Sequence, residues 1–232
     1  MPAFAGMTGK TGDSLMTPAS LQALDGLRDL STLKWYVIPL LAIVFYIYAV
    51  EIHKARHTGN WNAVLAGLTI FGMDCINETW NGWVLHLTQR AAFWTAPGDT
   101  ALRTMVGWNI EIIFMFLLSG FIYYYTLSEN REDKILGIPN RWFWAIAYSA
   151  FCVFVECLLN LGGHLVWEYP WWNRSLAGIW LIFLFGYFHF YVAALLVIGM
   201  PTMLAKVMTV SSLYGIAIVA NAVAMGLLGW RY

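Results

Sequence analysis

Residues 62–87 read NAVLAGLTIFGMDCINETWNGWVLHL. The stretch is long and apolar, yet it contains Asp74, Asn77, Glu78 and Asn81. At about 100° per residue these four side chains share one helical face, which Leu85 continues. An apolar helix needs about 20 residues to cross the hydrocarbon of a bilayer. A polar stripe on such a helix belongs inside a bundle, because a carboxyl facing lipid is costly. The stretch predicts a membrane helix that turns its acids toward other helices.

The rest of the chain has the same character. Of its 232 residues 60% are hydrophobic and 11% charged, and 13 Lys and Arg balance 13 Asp and Glu. A soluble domain carries about 25% charged residues. Apolar stretches at roughly 35–52, 62–87, 102–127, 142–163, 176–199 and 207–229 predict about six transmembrane helices. The expected fold is an all-α polytopic membrane bundle with a central lipidic pocket; the helical period disfavours a β-barrel. Residues 1–34 read as a tail, loose over 1–20, with a candidate interfacial helix at 21–31. Residues 35–232 read as a single membrane domain. Asp13, Asp25 and Asp29 interrupt any signal-peptide core. Seven cationic residues fall on one side of the six-span arrangement and six on the other, so the positive-inside rule assigns no orientation.

Several function classes are excluded. There is no basic domain or aromatic-basic platform for a nucleic acid. Cys75, Cys152 and Cys157 lie in apolar segments and form no CxxC pair. P-loop, GxGxxG and GxSxG signatures are missing, and no cofactor is implied. Trp35, Trp61, Trp94, Trp142, Trp171, Trp172 and Trp230 fall near the expected span ends, where indoles anchor at the interface. The loop 88–101 reads as a lid or interfacial segment.

Further polar groups interrupt other spans. Glu111 is placed about ten residues into the third. Glu156, Asn160 and His164 recur every four residues in the fourth, and His189 sits between Tyr187 and Tyr191 in the fifth. Trp80, Trp83, Trp108 and Trp180 lie deeper than the boundary tryptophans. Four readings fit this set: acid–base chemistry on a lipid, a transport path or ligand chamber, hydrogen bonds cementing helices, and a metal centre. The metal reading would draw on Glu78, Glu111, Glu156 and His164. Paired Glu-x-x-His and HExxH motifs are missing, so no metal is expected.

The pattern Asp74-xxx-Glu78-Thr79-Trp80, with Trp108-Asn109-Ile110-Glu111 and Tyr187-Phe188-His189-Phe190-Tyr191, resembles the emopamil-binding-protein superfamily over residues 35–201. That group includes sterol Δ8–Δ7 isomerases and is broadly similar to small integral-membrane terpene cyclases. In the isomerases a histidine and two acids line an intramembrane sterol cavity. The resemblance implies that Glu78 is the first acid, Glu111 the second, and Asp74 the counterpart of the histidine. Around Ala194 and Val197 the chain lacks the later Asn and Trp of the isomerase pattern, which fits a related isoprenoid reaction or another lipid ligand equally well.

The implied chemistry is protonation of an alkene or epoxide by Glu78 or Glu111, with a carbocation held by indole faces. Asp74, Glu78, Glu111, Glu156 and His189 are the expected catalytic groups. Asn77, Trp80, Asn81, Trp83, Trp108, Asn160, Trp180, Tyr187 and Tyr191 are the expected substrate contacts. The partner is a hydrophobic isoprenoid-like molecule among membrane lipids, with a homodimer open. With no clear eukaryotic address in the sequence, the expected location is a bacterial plasma membrane rather than the endoplasmic reticulum.

Overall fold

The computed structural model describes residues 15–232. Most of the expected loose tail lies outside them. The first helix, α1 (Pro18–Asp25), starts earlier than the expected 21–31. Thr17 caps it by accepting a hydrogen bond from the Ser20 amide, and Pro18 suits the first helical turn.

Six long helices follow: α2 (Val37–Thr58), α3 (Asn62–Thr88), α4 (Ile110–Thr126), α5 (Asn140–Leu161), α6 (Leu176–Gly199) and α7 (Met203–Leu227). Among the described residues α2, α5, α6 and α7 are long and apolar enough to cross a membrane. Helix α3 has the length, about 40 Å at 1.5 Å per residue, but carries the polar stripe. Helix α4 has 17 residues, about 26 Å. Residues 53–58, read from the sequence as a connector, extend α2 by more than a turn. Gly59 then stops it in the left-handed conformation, φ 72°.

Helix α3 is the centre of the bundle. Fifteen of its 27 residues are buried, against three of 22 in α2. Helix α2 therefore lies at the periphery, and Ile38, Phe45 and Tyr46 point outward from it. The α3–α4 contact is the tightest: a Cβ on Gly120 would lie 2.5 Å from the Ala66 carbonyl oxygen. Small residues permit such backbone approach between membrane helices.

One end of the bundle carries a cap built from the connectors. It contains β1 (Trp94–Thr95), β2 (Arg103–Met105), β3 (Trp108–Asn109) and β6 (Val166–Trp167). Between them in sequence, the hairpin of β4 (Lys134–Ile135) and β5 (Ile138–Pro139) closes the α4–α5 connection at the opposite end. Strand β1 pairs antiparallel with β6, and β2 with β3. Residues 102–109, expected as the start of the third span, thus belong to a hairpin. Met105, Val106 and Trp108 are buried in the cap, and an apolar run of that length reads the same in a buried strand as in a helix. Arg103 holds the cap together from within. Its Nε donates to the Ala96 carbonyl at 2.8 Å and an Nη to that of Gly98 at 2.7 Å.

The one ion pair among the described residues, Lys34–Asp99 at 2.8 Å, lies on the cap surface. The ammonium holds the Asp99 carboxyl below its usual range. Any stabilisation from this is present at neutral pH and lost as the pH falls through that lowered value. Asp99 is 90% exposed, so solvent and salt screen the pair. Lys34→Ala is expected to leave the thermal unfolding midpoint in detergent unchanged, at low salt and at high salt.

Candidate functional site

Asp74, Asn77, Glu78 and Asn81 are all buried and face the interior, as the stripe on α3 requires. Glu156 on α5 is also buried. Asp74, Glu78 and Glu156 line one chamber of about 40 Å³ with Asn77, Trp94, Trp172 and Tyr187. No Lys or Arg lines it.

Each of the three carboxyls accepts a hydrogen bond from an indole. Trp108 Nε1 donates to Asp74 at 2.8 Å, Trp94 Nε1 to Glu78 at 2.6 Å, and Trp167 Nε1 to Glu156 at 2.9 Å. The acids come from membrane-length helices and the donors from cap strands β3, β1 and β6. Trp94 and Trp167 are directly opposed in the β1–β6 pair, so their side chains share one face. A one-residue slip of that register would turn both indoles away. Asn81 fixes β1: it accepts from the amides of Phe93 and Trp94 and donates to the Trp94 carbonyl. Gly107 lines the chamber too, and a Cβ there would lie 2.6 Å from Asn81 Nδ2 and from the Trp94 ring. Gly107→Ala is therefore expected to displace Trp94 and change the tryptophan emission of the folded protein, which steady-state fluorescence checks.

Glu78 Oε2 and Trp172 Nε1 are buried with no hydrogen-bond partner among the described residues. Both residues line the chamber. An unpaired acceptor and an unpaired donor on one small space suit a small polar group or a proton in transit. The chamber has room for about three waters. At that volume it is too small for an isoprenoid. The three acids draw the helices and cap inward through the indoles and leave little space between them.

The larger space lies beside it. An open groove of about 490 Å³ is lined by Trp80, Phe93, Trp171, Trp172, Leu181, Phe185, Asn77 and His189. Asn77 and Trp172 line both spaces and form the wall between them. Asn77 is fixed from several sides. Its Oδ1 accepts from Trp80 Nε1 at 3.0 Å and lies 3.2 Å from His189 Nε2. Its Nδ2 donates to the Phe185 carbonyl at 3.1 Å. That carbonyl lies in a π-helical stretch of α6, Ile182–Phe188. Wider turns of this kind loosen the regular helical hydrogen bonding and are frequent at functional sites. His189 Nδ1 lies 3.1 Å from the Leu184 carbonyl. Both ring nitrogens thus face acceptors, and a neutral ring can donate to one of them.

Other expected site residues lie apart. Glu111 sits in the first turn of α4, beneath the cap. It accepts from the Tyr36 and Thr100 hydroxyls and from the Ala101 amide, tying the start of α2 to the cap. Its hydrogen bond pushes the Tyr36 phenol up to about 12. His164 follows the Gly162-Gly163 turn beyond the end of α5 and is exposed. Asn160 donates to the Leu165 carbonyl at that turn. Trp83 donates to the Tyr232 hydroxyl. Tyr191 packs on Tyr123 and Tyr148. Trp180 is 56% exposed. Among the described residues no three His, Cys, Asp or Glu side chains form a metal-holding group.

Sequence reasoning placed Trp94 and Trp172 at the interface, whereas both are buried in the cap. It gave Trp167 no role. Their residue type suits either setting, and only the pairing of distant connectors distinguishes them.

The model of an uncharacterized membrane protein family matches residues 17–226. An uncharacterized protein of Archaeoglobus fulgidus is 46% identical over 214 residues, covering 92% of this chain and 99% of that protein. No solved structure matches the chain.

Proposed function

The chain belongs to this uncharacterized membrane protein family, and from the geometry we propose that it is an acid–base isomerase or cyclase of isoprenoid or sterol-like lipids. The observation that carries the reading is the shared wall: an aromatic groove of about 490 Å³ abuts a chamber of three carboxyls across Asn77 and Trp172. The groove volume lies within the usual range for small-molecule sites, about 300–1,000 Å³. All six long helices span the membrane in this reading, and the groove opens toward lipid.

The hydrocarbon lies in the groove against Trp80, Phe93, Trp171 and Trp172. With Trp172 turned aside so that an alkene carbon reaches past the wall, a carboxyl proton, from Glu78 first because its Oε2 is unpaired, adds to that carbon. The ring faces stabilise the resulting cation. Loss of a proton from another carbon to His189 or to a carboxylate ends the reaction. The product keeps the elemental composition of the substrate. Asp74 and Glu156 pass protons to and from Glu78. This is the chemistry implied by the resemblance to sterol isomerases, with Glu156 taking the place of Glu111. The Archaeoglobus relative supports a prokaryotic plasma membrane as the location.

The test is mass spectrometry of lipids from an isoprenoid-producing host expressing the wild type or Glu78→Gln/Glu156→Gln at matched abundance. A new isomer made by the wild type and missing with the double variant is expected. Identical lipid profiles for wild type, variant and empty host would overturn the reaction. A lipid that co-purifies without any product would favour a binding protein, the reading that the groove alone supports.

A further inference from the structure

At the other end of the bundle lies a second large cavity, about 400 Å³, where α2, α3, α4 and α5 end. It is polar, unlike the aromatic groove. Its charged lining residues are Glu51, Lys54, Glu129, Arg131 and Arg141. Lys54 Nζ donates to the Tyr125 hydroxyl at 2.8 Å, and that hydroxyl donates to Glu51. Lys54 and Glu51 thus offset each other through Tyr125. Arg131 and Arg141 remain against Glu129, an excess of one positive charge.

Arg141 is the distinctive member. It stands in the first turn of α5, its Nε is buried, and that nitrogen has no hydrogen-bond partner among the described residues. The one ion pair among these residues is at the cap end, so neither Arg131 nor Arg141 has an anionic partner. A guanidinium presents a planar fork of donors that matches phosphate oxygens two at a time. Asn60, Asn62, Thr58 and Ser128 add polar groups around the same space. Lys206 reinforces the wall by donating to Asn62 at 2.6 Å and to the Ile198 carbonyl.

We propose that this cavity is a phosphoryl-binding site, with Arg141 as its anchor and Arg131 as its supporting cation. The ligand is a phosphate group carried by a lipid headgroup or a free phosphate-type anion. The cavity touches the first turn of α3 at Asn62 and Ala63, 16 residues or about 24 Å along the helix from Glu78. It is a separate site, and the inference holds whatever reaction occurs beneath the cap.

The experiment uses the full chain, purified in detergent and stripped of lipid. Inorganic phosphate and pyrophosphate are titrated by calorimetry in one arm. In the other, native mass spectrometry counts dioleoyl-phosphatidylglycerol retained in competition with dioleoylglycerol, which has the same acyl chains and no phosphate. Wild type is expected to bind at least one probe, with phosphatidylglycerol preferred over dioleoylglycerol in the lipid arm. Binding in the lipid arm alone identifies a headgroup; binding of the inorganic anions identifies a free-anion site. Arg141→Gln is expected to weaken binding at least tenfold. Arg141→Lys should retain part of it, and Lys134→Gln, outside the cavity, all of it. Unfolding midpoints without ligand confirm that the compared variants are folded. Should Arg141→Gln fail to fold, Arg131→Gln replaces it, with a smaller but measurable weakening of binding expected. Wild type that binds neither probe, or a folded cavity variant that binds as wild type does, would overturn the proposal.

Discussion

Glu78→Gln is expected to remove product formation while leaving the protein folded. Glutamine has nearly the shape of a glutamic acid side chain, and its carbonyl oxygen still accepts from Trp94 Nε1, now 2.6 Å from Glu78. It has no acidic proton to deliver to an alkene. A positioned general acid contributes about 10²–10⁴-fold to rate, so a loss of that size is expected in product per unit of protein. No Lys or Arg lines the chamber, so the substitution leaves no buried cation unpaired. The unfolding midpoint should stay near that of the wild type.

Glu111→Gln is expected to do the reverse. Its carboxylate accepts from two hydroxyls and a backbone amide, and an amide group in its place turns a donor toward groups that already donate. A lost buried partner costs about 1–3 kcal/mol, so stability should fall while the folded fraction keeps its turnover. Product analysis and thermal unfolding on the same preparations separate the two cases. A folded Glu78→Gln protein with wild-type turnover would remove Glu78 from the chemistry.

This contrast also marks what the sequence reveals. The stripe of Asp74, Asn77, Glu78 and Asn81 is legible because one helix sets its own period, and no other element is needed to place those residues on one face. Glu156 is legible for the same reason. The indole donors are not. Trp94 and Trp167 are 73 positions apart, and they meet only because two short connectors pair in one register. Glu111 was misplaced because Met105, Val106 and Trp108, buried in the hairpin before α4, read as the start of that span. For His164 the signal was present: Gly162-Gly163 is a helix stop, and a residue beyond it does not continue the face of Glu156 and Asn160. The groove depends on the π-helical stretch of α6, which brings the Phe185 carbonyl within reach of Asn77. Apolar composition alone does not distinguish that stretch from ordinary helix.

Gly120→Ala is expected to have the largest effect on stability among conservative substitutions. The new Cβ would lie 2.5 Å from both the Ala66 carbonyl oxygen and Gly67 Cα. Both are backbone atoms of α3, so no side-chain rotation relieves the contact, and α3 and α4 must move apart. Overpacking of this kind costs about 1–3 kcal/mol. For a chain of this size each kcal/mol shifts the midpoint by about 2–4 °C, so a fall of about 2–12 °C is expected in detergent. Gly215→Ala on α7 provides the reference: a Cβ there meets nothing within 4 Å, and its midpoint should not fall. The displacement also reaches the site. Helix α4 carries Ile112 and Phe116, which line the chamber opposite the acids of α3. Moving α4 outward widens that chamber, and Phe116 shifts relative to Tyr187, on which it stacks. Gly120→Ala is therefore expected to lower product formation even at temperatures where it is fully folded, whereas Gly215→Ala should preserve it. Wild-type stability and turnover in Gly120→Ala would mean that the α3–α4 contact is looser than the structure makes it.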